Sequence, residues 1–342
     1  MKKIAVFLIL FSTLFTACET DFDVNASWKE VTVVYGLLDQ SQEQQYIKIN
    51  KAFLGEGNAL QMASISDSVN YNPADLEVKI IKVKDGSFGS VIALDTIDLD
   101  TTLIIKDDGL FATDENIIYT TPSNFFLTNN ADEKDYILSI VNKKSGQKVW
   151  AKTNLIHELM LDIPGNKPMG FYAEVPNPPV SPLEKTSTTV KWYHSKNGKI
   201  YQIIARIHYK DYFNDGTVSS MYLDWLQPQI IFENTNEMHY TFKGDAFVNT
   251  LANNLTVPAN LKERRLIEME LLFTVGSEDL QTYISVNEPF EGIVQERPVF
   301  TNINNGIGLF TSRYNKSHIM EFSSTTKEGI EFDLDSLGFV DP

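Results

Sequence analysis

The sequence predicts an all-β fold, mainly strands with one or two short helices, in which an N-terminal immunoglobulin-like β-sandwich is followed by a second β-rich domain. Three observations predict it. Short segments alternate apolar and polar residues with the period of two that turns one side of a strand to a core. Turn residues such as Asp85-Gly86, Asp108-Gly109 and Asn197-Gly198 separate them. No repeat of roughly 20 to 50 residues is visible, which argues against a helical-repeat architecture.

In "QQYIKINKAF" Ile47 and Ile49 alternate with Lys48 and Asn50, and in "LEVKIIKVKDG" Leu76, Val78 and Ile80 alternate with Glu77 and Lys79. The doubled Ile80-Ile81 breaks the alternation as a bulge would. "DYILSIVNKKSGQKVWAKT" places Tyr136, Leu138 and Ile140 on one face, turns at Lys144-Ser145-Gly146 and returns through Val149 and Ala151, which is a hairpin. These strands fill a sandwich over residues 31–160.

Six of the chain's 13 prolines then lie between Pro164 and Pro182, where neither a helix nor a central strand is easily sustained. Residues 161–185 therefore read as a linker; the alternative is a long Pro-rich loop inside one larger β structure. The second domain, 186–342, opens with "TTVKWYHSKNGKIYQIIARIHY", two strand-like runs around the hairpin signal Asn197-Gly198. In "RLIEMELLFTV" Ile267, Met269, Leu271 and Phe273 share a side opposite Glu268 and Glu270. One helix is expected near Asp245, pairing Phe247 with Leu251. Another has Ser277 as N-cap, Glu278 and Asp279 in its first turn, and Leu280, Tyr283 and Ile284 on one face.

The N-terminus has a different logic. Lys2 and Lys3 precede an almost wholly apolar stretch at 4–15, and small Thr16-Ala17 stand before Cys18, the chain's one cysteine. A helix of that length rises about 18 Å, too short for a bilayer core of ~30 Å. "LFTAC" resembles the lipobox of bacterial lipoproteins, so 1–17 reads as a signal peptide and Cys18 as the lipidated first residue. Two or three acyl chains at ~0.8 kcal/mol per buried methylene hold a protein where one alone is marginal. Residues 18–30 then form an acidic tether. Glu19, Asp21 and Asp23 resemble the signal that sends Bacteroidota lipoproteins to the outer face of the outer membrane; the alternative is a merely solvated tether.

The formal charge is −16; without Lys2 and Lys3, 27 basic residues face 45 acidic ones, or −18. Such a surface is repelled by nucleic acid and by anionic lipid headgroups, so the lipid and not the charge must hold the protein at a membrane. With Cys18 acylated no thiol remains, which excludes disulfides, zinc-thiolate sites and cysteine nucleophiles.

Catalytic motifs are missing from the pattern. His157, His194, His208, His239 and His318 are scattered, with no metal-ligand spacing. Neither a Gly-x-Ser-x-Gly elbow nor a phosphate-cradling loop is present, and "NNGIGLF" reads as a turn into a strand where glycine permits close backbone approach. "DYFNDG" matches positions one, five and six of a calcium loop, but Phe213 and Tyr222 occupy positions three and twelve, so a plain turn is expected. Glu331, Asp333 and Asp335 alternate with Phe332 and Leu334 and would share one face of a strand, as an acidic solvated face or a calcium site. No cofactor is expected beyond that calcium alternative. Aromatics crowd the start of the second domain; Trp192, Tyr193, Tyr212 and Trp225 are the candidate binding residues, although most rings at strand spacing are core. Trp192 and Tyr193 must point to opposite faces.

The acid-flanked cysteine, "GLFAT" before the hairpin, "SEDLQTYISVNEP" and "RPVFTNINNGIGLFTSRY" together resemble a family of Bacteroidota outer-membrane lipoproteins of unknown biochemical function, some encoded beside TonB-dependent receptors. The resemblance implies an extracellular, lipid-anchored partner of an outer-membrane β-barrel protein and associated lipoproteins. The expected function is that of a non-enzymatic accessory subunit of the β-barrel assembly machinery or of a TonB-dependent importer. The second expectation is a glycan- or peptide-binding lipoprotein that delivers nutrient to such a transporter, and the third a calcium-dependent hydrolase.

Overall fold

The computed structural model describes residues 29–54, 65–87, 90–104, 116–123, 127, 135–162, 167–175, 183–289 and 299–341. The signal-like segment, Cys18, Glu19, Asp21 and Asp23 lie outside them, as do Asp108-Gly109 and most of the prolines between 164 and 182.

Strands dominate. The first half holds β1 (Lys29–Asp39), β2 (Tyr46–Leu54), a one-turn helix α1 (Ser66–Val69), β3 (Leu76–Asp85), β4 (Val91–Asp98), β5 (Asp100–Leu103), β6 (Ile117–Thr120), β7 (Asp135–Asn142) and β8 (Lys148–Thr153). The second half holds β9 (Leu161–Asp162), β10 (Tyr172–Glu174), β11 (Leu183–Lys185), β12 (Ser187–Tyr193), β13 (Ile200–Phe213), β14 (Val218–Leu226), β15 (Ile230–Ile231) and β16 (Glu237–Lys243). Helix α2 (Gly244–Asn254), β17 (Leu261–Gly276), α3 (Glu278–Asn287), β18 (Gly306–Glu321) and α4 (Ser324–Asp333) complete it.

A nine-stranded sheet in the order β14-β13-β17-β18-β1-β2-β6-β5, with β15 also on β13, runs through both halves. Its joint is the parallel pairing of β1 with β18, in register from Thr32 opposite Gly306 to Asp39 opposite Arg313. Glycine makes that joint possible. Gly308 sits at φ +115°, and a Cβ there would strike the Val34 carbonyl oxygen; a Cβ on Gly306 would lie 2.7 Å from the Thr32 oxygen. The close backbone approach expected of "NNGIGLF" is therefore real.

Two smaller sheets cover one side of this wall. The four-stranded sheet β4-β3-β7-β8 closes a first core, in which Val78, Ile80, Leu138, Ile140 and Ala151 meet Val34, Leu38, Ile47 and Ile49. The hairpin β7-β8 has the inward face expected of it. The three-stranded sheet β16-β12-β9 closes a second, larger core with Phe247 and Leu251 of α2 and Ile330 of α4. Leu155 belongs to the first core and Ile156 to the second. Within the Pro-rich segment, Met169, Phe171 and Tyr172 are buried in the second core, where Phe171 stacks on Phe247 at 4.1 Å.

Four local expectations are corrected. The bulge is not at Ile80-Ile81: β3 pairs evenly with β7, and the irregularity lies against β4, where the partner jumps from Asp95 to Ala93. Asn197-Gly198 does make a tight turn, with Asn197 at φ 67° and the Gly198 N–H donating to Ser195 O at 2.8 Å, but it makes no hairpin. Strand β12 pairs with β16 and β9, while β13 pairs with β14, β15 and β17, because Trp192 and Tyr201 enter one core from opposite walls. In β17 the inward set is Leu266, Met269, Leu271 and Phe273; Ile267 falls at a register shift opposite the His208–Tyr209 step and leaves the core side.

The fourth concerns the C-terminal acids. Glu331 and Asp333 lie in α4, and Asp335 lies in the turn after it. Ser323 caps α4 through the Thr326 N–H, and Thr326, Ile330 and Leu334, at a spacing of four, face inward. Gly329 stands mid-helix because the Tyr172 ring occupies the space of its Cβ. The expected helices at Asp245 and Ser277 are present as α2 and α3.

Candidate functional site

The four candidate aromatics do not converge. Trp192 is fully buried, with ring centroids 5.4 Å from Phe273 and 6.1 Å from Tyr201, and so presents no surface to a ligand. Tyr193 points the other way, as strand geometry requires, and is 45% exposed. Tyr212 is half-buried under the Arg265 guanidinium at 4.7 Å. Trp225 packs edge-on to Phe242 at 5.7 Å and closes the side of the second core.

The calcium-like run is used up internally. Asp211 is gripped by Arg264 through bonds of 2.6 and 2.9 Å, and the Asp215 carboxylate accepts the Thr217 N–H and hydroxyl. At the C-terminus Asp333 accepts the Tyr172 hydroxyl at 2.6 Å and pairs with Lys185 at 2.8 Å. Among the described residues no three His, Cys, Asp or Glu side chains are placed to hold a metal ion.

What the structure does assemble lies on the side of the large sheet opposite the two cores. Val34 and Leu38 face the first core, so Tyr35 and Leu37 face away from it. Register places Leu309 beside Tyr35 and Thr311 beside Leu37 on β18. On β2, Tyr46 follows the Gly36–Ile47 pair outward and is 48% exposed. Helix α3 is pinned over β18 by its N-cap, where the Ser277 and Thr311 hydroxyls bond to each other. It then lays Leu280, Tyr283 and Ile284 along one wall of a groove of about 530 Å³ whose floor is Tyr35, Leu37 and Leu309. None of the helix's residues is fully buried, so among the described residues its apolar face is only partly covered.

Tyr283 donates to the Tyr35 hydroxyl at 3.3 Å, with the rings edge to face at 6.2 Å. That bond, together with burial and the neighbouring phenol, pushes the Tyr35 hydroxyl up to about 12, so the Tyr35 phenol stays neutral at physiological pH. The opposite wall is polar. Tyr46 donates to the Gln44 amide oxygen at 3.3 Å, Gln44 donates to Thr121 O at 3.1 Å, and Gln42 is exposed.

Arg313 closes one end. Its Nε donates to Asp39 at 3.2 Å, and Asp39, only 1% exposed, also accepts from the Ser41 N–H, the Ser41 hydroxyl and the Asn315 amide. A buried carboxylate so fully bonded holds the guanidinium in place and cancels its charge. Among the described residues the groove's polar lining is phenols, side-chain amides and this arginine–carboxylate pair.

Sequence reasoning reached one wall, the Leu280, Tyr283 and Ile284 face, and missed the rest. A signal existed in "VTVVYGLLD": with Val34 and Leu38 inward, Tyr35 and Leu37 form an apolar row on the outward face of the same strand. No model of a known protein family matches the chain, and a search of curated proteins finds no match to it.

Proposed function

We propose that the chain is a non-enzymatic lipoprotein of the outer membrane, anchored through Cys18, facing the cell exterior and acting as an accessory subunit of a β-barrel membrane complex. The β-barrel assembly machinery and a TonB-dependent importer are the two candidate complexes. What carries the proposal is the run Leu14-Phe15-Thr16-Ala17-Cys18 with Glu19, Asp21 and Asp23 behind it. The fold supplies a surface suited to the role. Among the described residues β14 pairs with β13 alone, and it exposes Val218, Met221, Tyr222 and Leu226 along an edge of the nine-stranded sheet. An edge strand with apolar outward residues is a template for pairing or packing with another protein.

Purification of the tagged chain in mild detergent is expected to bring down one barrel protein in stoichiometric amount. Cys18→Ser should abolish that association and release the chain from membranes. Protease added to intact cells should digest it. Recovery of the chain free of any barrel protein would end the proposal, and protection from protease would move it to the periplasmic face.

A further inference from the structure

We infer that the groove between α3 and the β1-β2 surface is a binding site for a neutral saccharide. Its ring faces would stack on Tyr46 and on the Tyr35–Tyr283 pair, and its hydroxyls would bond the amides of Gln42 and Gln44 and the terminal nitrogens of Arg313. Three features fix that ligand chemistry.

The lining is amphipathic in the way a sugar is. An aromatic ring offers a flat apolar face to the C–H side of a pyranose, and three tyrosines line a groove of about 530 Å³. Among the described residues the apolar face of α3 is not fully covered, since Leu280, Tyr283 and Ile284 are each only partly buried.

The polar groups are neutral in sum. Arg313 is matched by the buried Asp39, and the other polar groups of the lining are amides and phenols. An anionic ligand would meet a cancelled charge inside a protein of formal charge −16, so long-range attraction does not favour it. Among the described residues the Arg313 guanidinium has the one bond through Nε, and its side chain is 40% exposed, which leaves Nη1 and Nη2 directed to acceptors such as hydroxyls.

The backbone of the floor offers an extended peptide little to pair with. Along the floor β1 pairs with β18 and, as far as Gly36 opposite Ile47, with β2; β18 pairs with β1 from Gly306 to Arg313 and with β17 only from Arg313 on, while its Phe310 N–H and C=O bond the Asn302 side-chain amide. Recognition by strand addition requires a free edge, and where β17 does not reach β18 the Phe310 backbone is already bonded by Asn302. Apart from Gly36 the groove is lined by residues with side chains, and side-chain amides with aromatic faces suit hydroxyls better than a peptide main chain.

The inference does not depend on a barrel partner, because the assay uses the purified chain alone. Isothermal titration of the full chain in mild detergent would use neutral hexasaccharides of glucose, mannose and xylose, with hexagalacturonate as the charged comparison. At least one neutral hexasaccharide is expected to bind with Kd below about 1 mM, equivalent to about 4 kcal/mol. Tyr46→Ala should weaken it about tenfold or more while Tyr46→Phe retains it, and Tyr193→Ala, on a different surface, should change nothing. Tyr46 is 48% exposed, so its truncation leaves the fold intact, which an unchanged thermal melt verifies. Failure of all three neutral sugars to bind, tighter binding of hexagalacturonate, or affinity indifferent to Tyr46→Ala would each overturn the inference.

Discussion

Asp211 and Asp39 are both buried carboxylates facing an arginine across paired strands, yet their surroundings differ in every other respect. Asp211 and Arg264 are 6% and 2% exposed, and Arg264 also donates to Leu337 O and Thr256 O and lies 4.9 Å from the Tyr209 ring. The C-terminal residues close over the pair: the Arg264 N–H donates to Gly338 O and the Val340 N–H to Arg264 O. Asp39 is equally buried, but Arg313 is 40% exposed and borders a groove. One pair rivets the end of the chain to the sheet, and the other presents a fixed guanidinium to solvent.

The sealed pair should be the costlier to break. Arg264→Met strands Asp211 without its cation, and a loss of about 3–5 kcal/mol is expected from urea unfolding followed by tryptophan fluorescence. Adding Asp211→Leu should recover part of that loss, because a buried pair replaced by apolar groups is often neutral. A double variant no more stable than Arg264→Met would mean that the carbonyl bonds of Arg264, and not its charge partner, are what matter.

The open pair depends on the register of β1 against β18, which Gly308 permits. Gly308→Ala should cost about 1–3 kcal/mol through its positive φ alone, with the Val34 oxygen adding to it. The sharper readout is where the damage appears: amide exchange should rise along β1 and around Asp39 and Arg313 before it rises near Arg264. Uniform loss of protection across both regions would show that the two cores unfold as one unit.

Arg313→Met should cost less, about 1–2 kcal/mol, since Asp39 keeps the Ser41 and Asn315 donors. A loss as large as that of Arg264→Met would abolish the contrast between a rivet and a presented group.

How much of this was legible in the sequence follows from the range of the interactions. Hairpin β7-β8, helices α2 and α3 and the glycine approach at 306 and 308 each declare themselves within about a dozen residues, through alternation, an N-cap or a turn residue. The pairing of Thr32 with Gly306 does not, because no local pattern names a partner across most of the chain. Asn197-Gly198 misleads for a related reason: the dipeptide specifies a tight turn and leaves open whether the chain returns beside itself or crosses a core. Trp192 and Tyr193 show the limit for sites. Alternation says that one is outward, and neighbouring sheets decide which. Tyr35, Tyr46 and Tyr283 come from three separate elements, so the groove exists in the register and not in any single stretch.

The smallest expected effect comes from the face of the same sheet opposite the two cores, between the two pairs. Glu270 accepts from the Ser317 hydroxyl at 2.6 Å and faces His208 at 3.3 Å, with Arg206 nearby. The Ser317 bond foremost, then the His208 bond and the charges of His208 and Arg206, outweigh burial and hold the carboxyl below its ordinary value of 4.5. A depressed carboxylate contributes stability that is fully present above the unfolded value and is lost as pH falls through the folded one. Stability should therefore decline below about pH 4.5, and Glu270→Gln should flatten that part of the curve while changing stability at pH 7 by less than about 1 kcal/mol. Urea midpoints taken from pH 3 to pH 7 measure it. A variant curve parallel to the parent's below pH 4.5 would mean that Glu270 binds protons alike in the folded and unfolded chain, and that the acid response arises elsewhere.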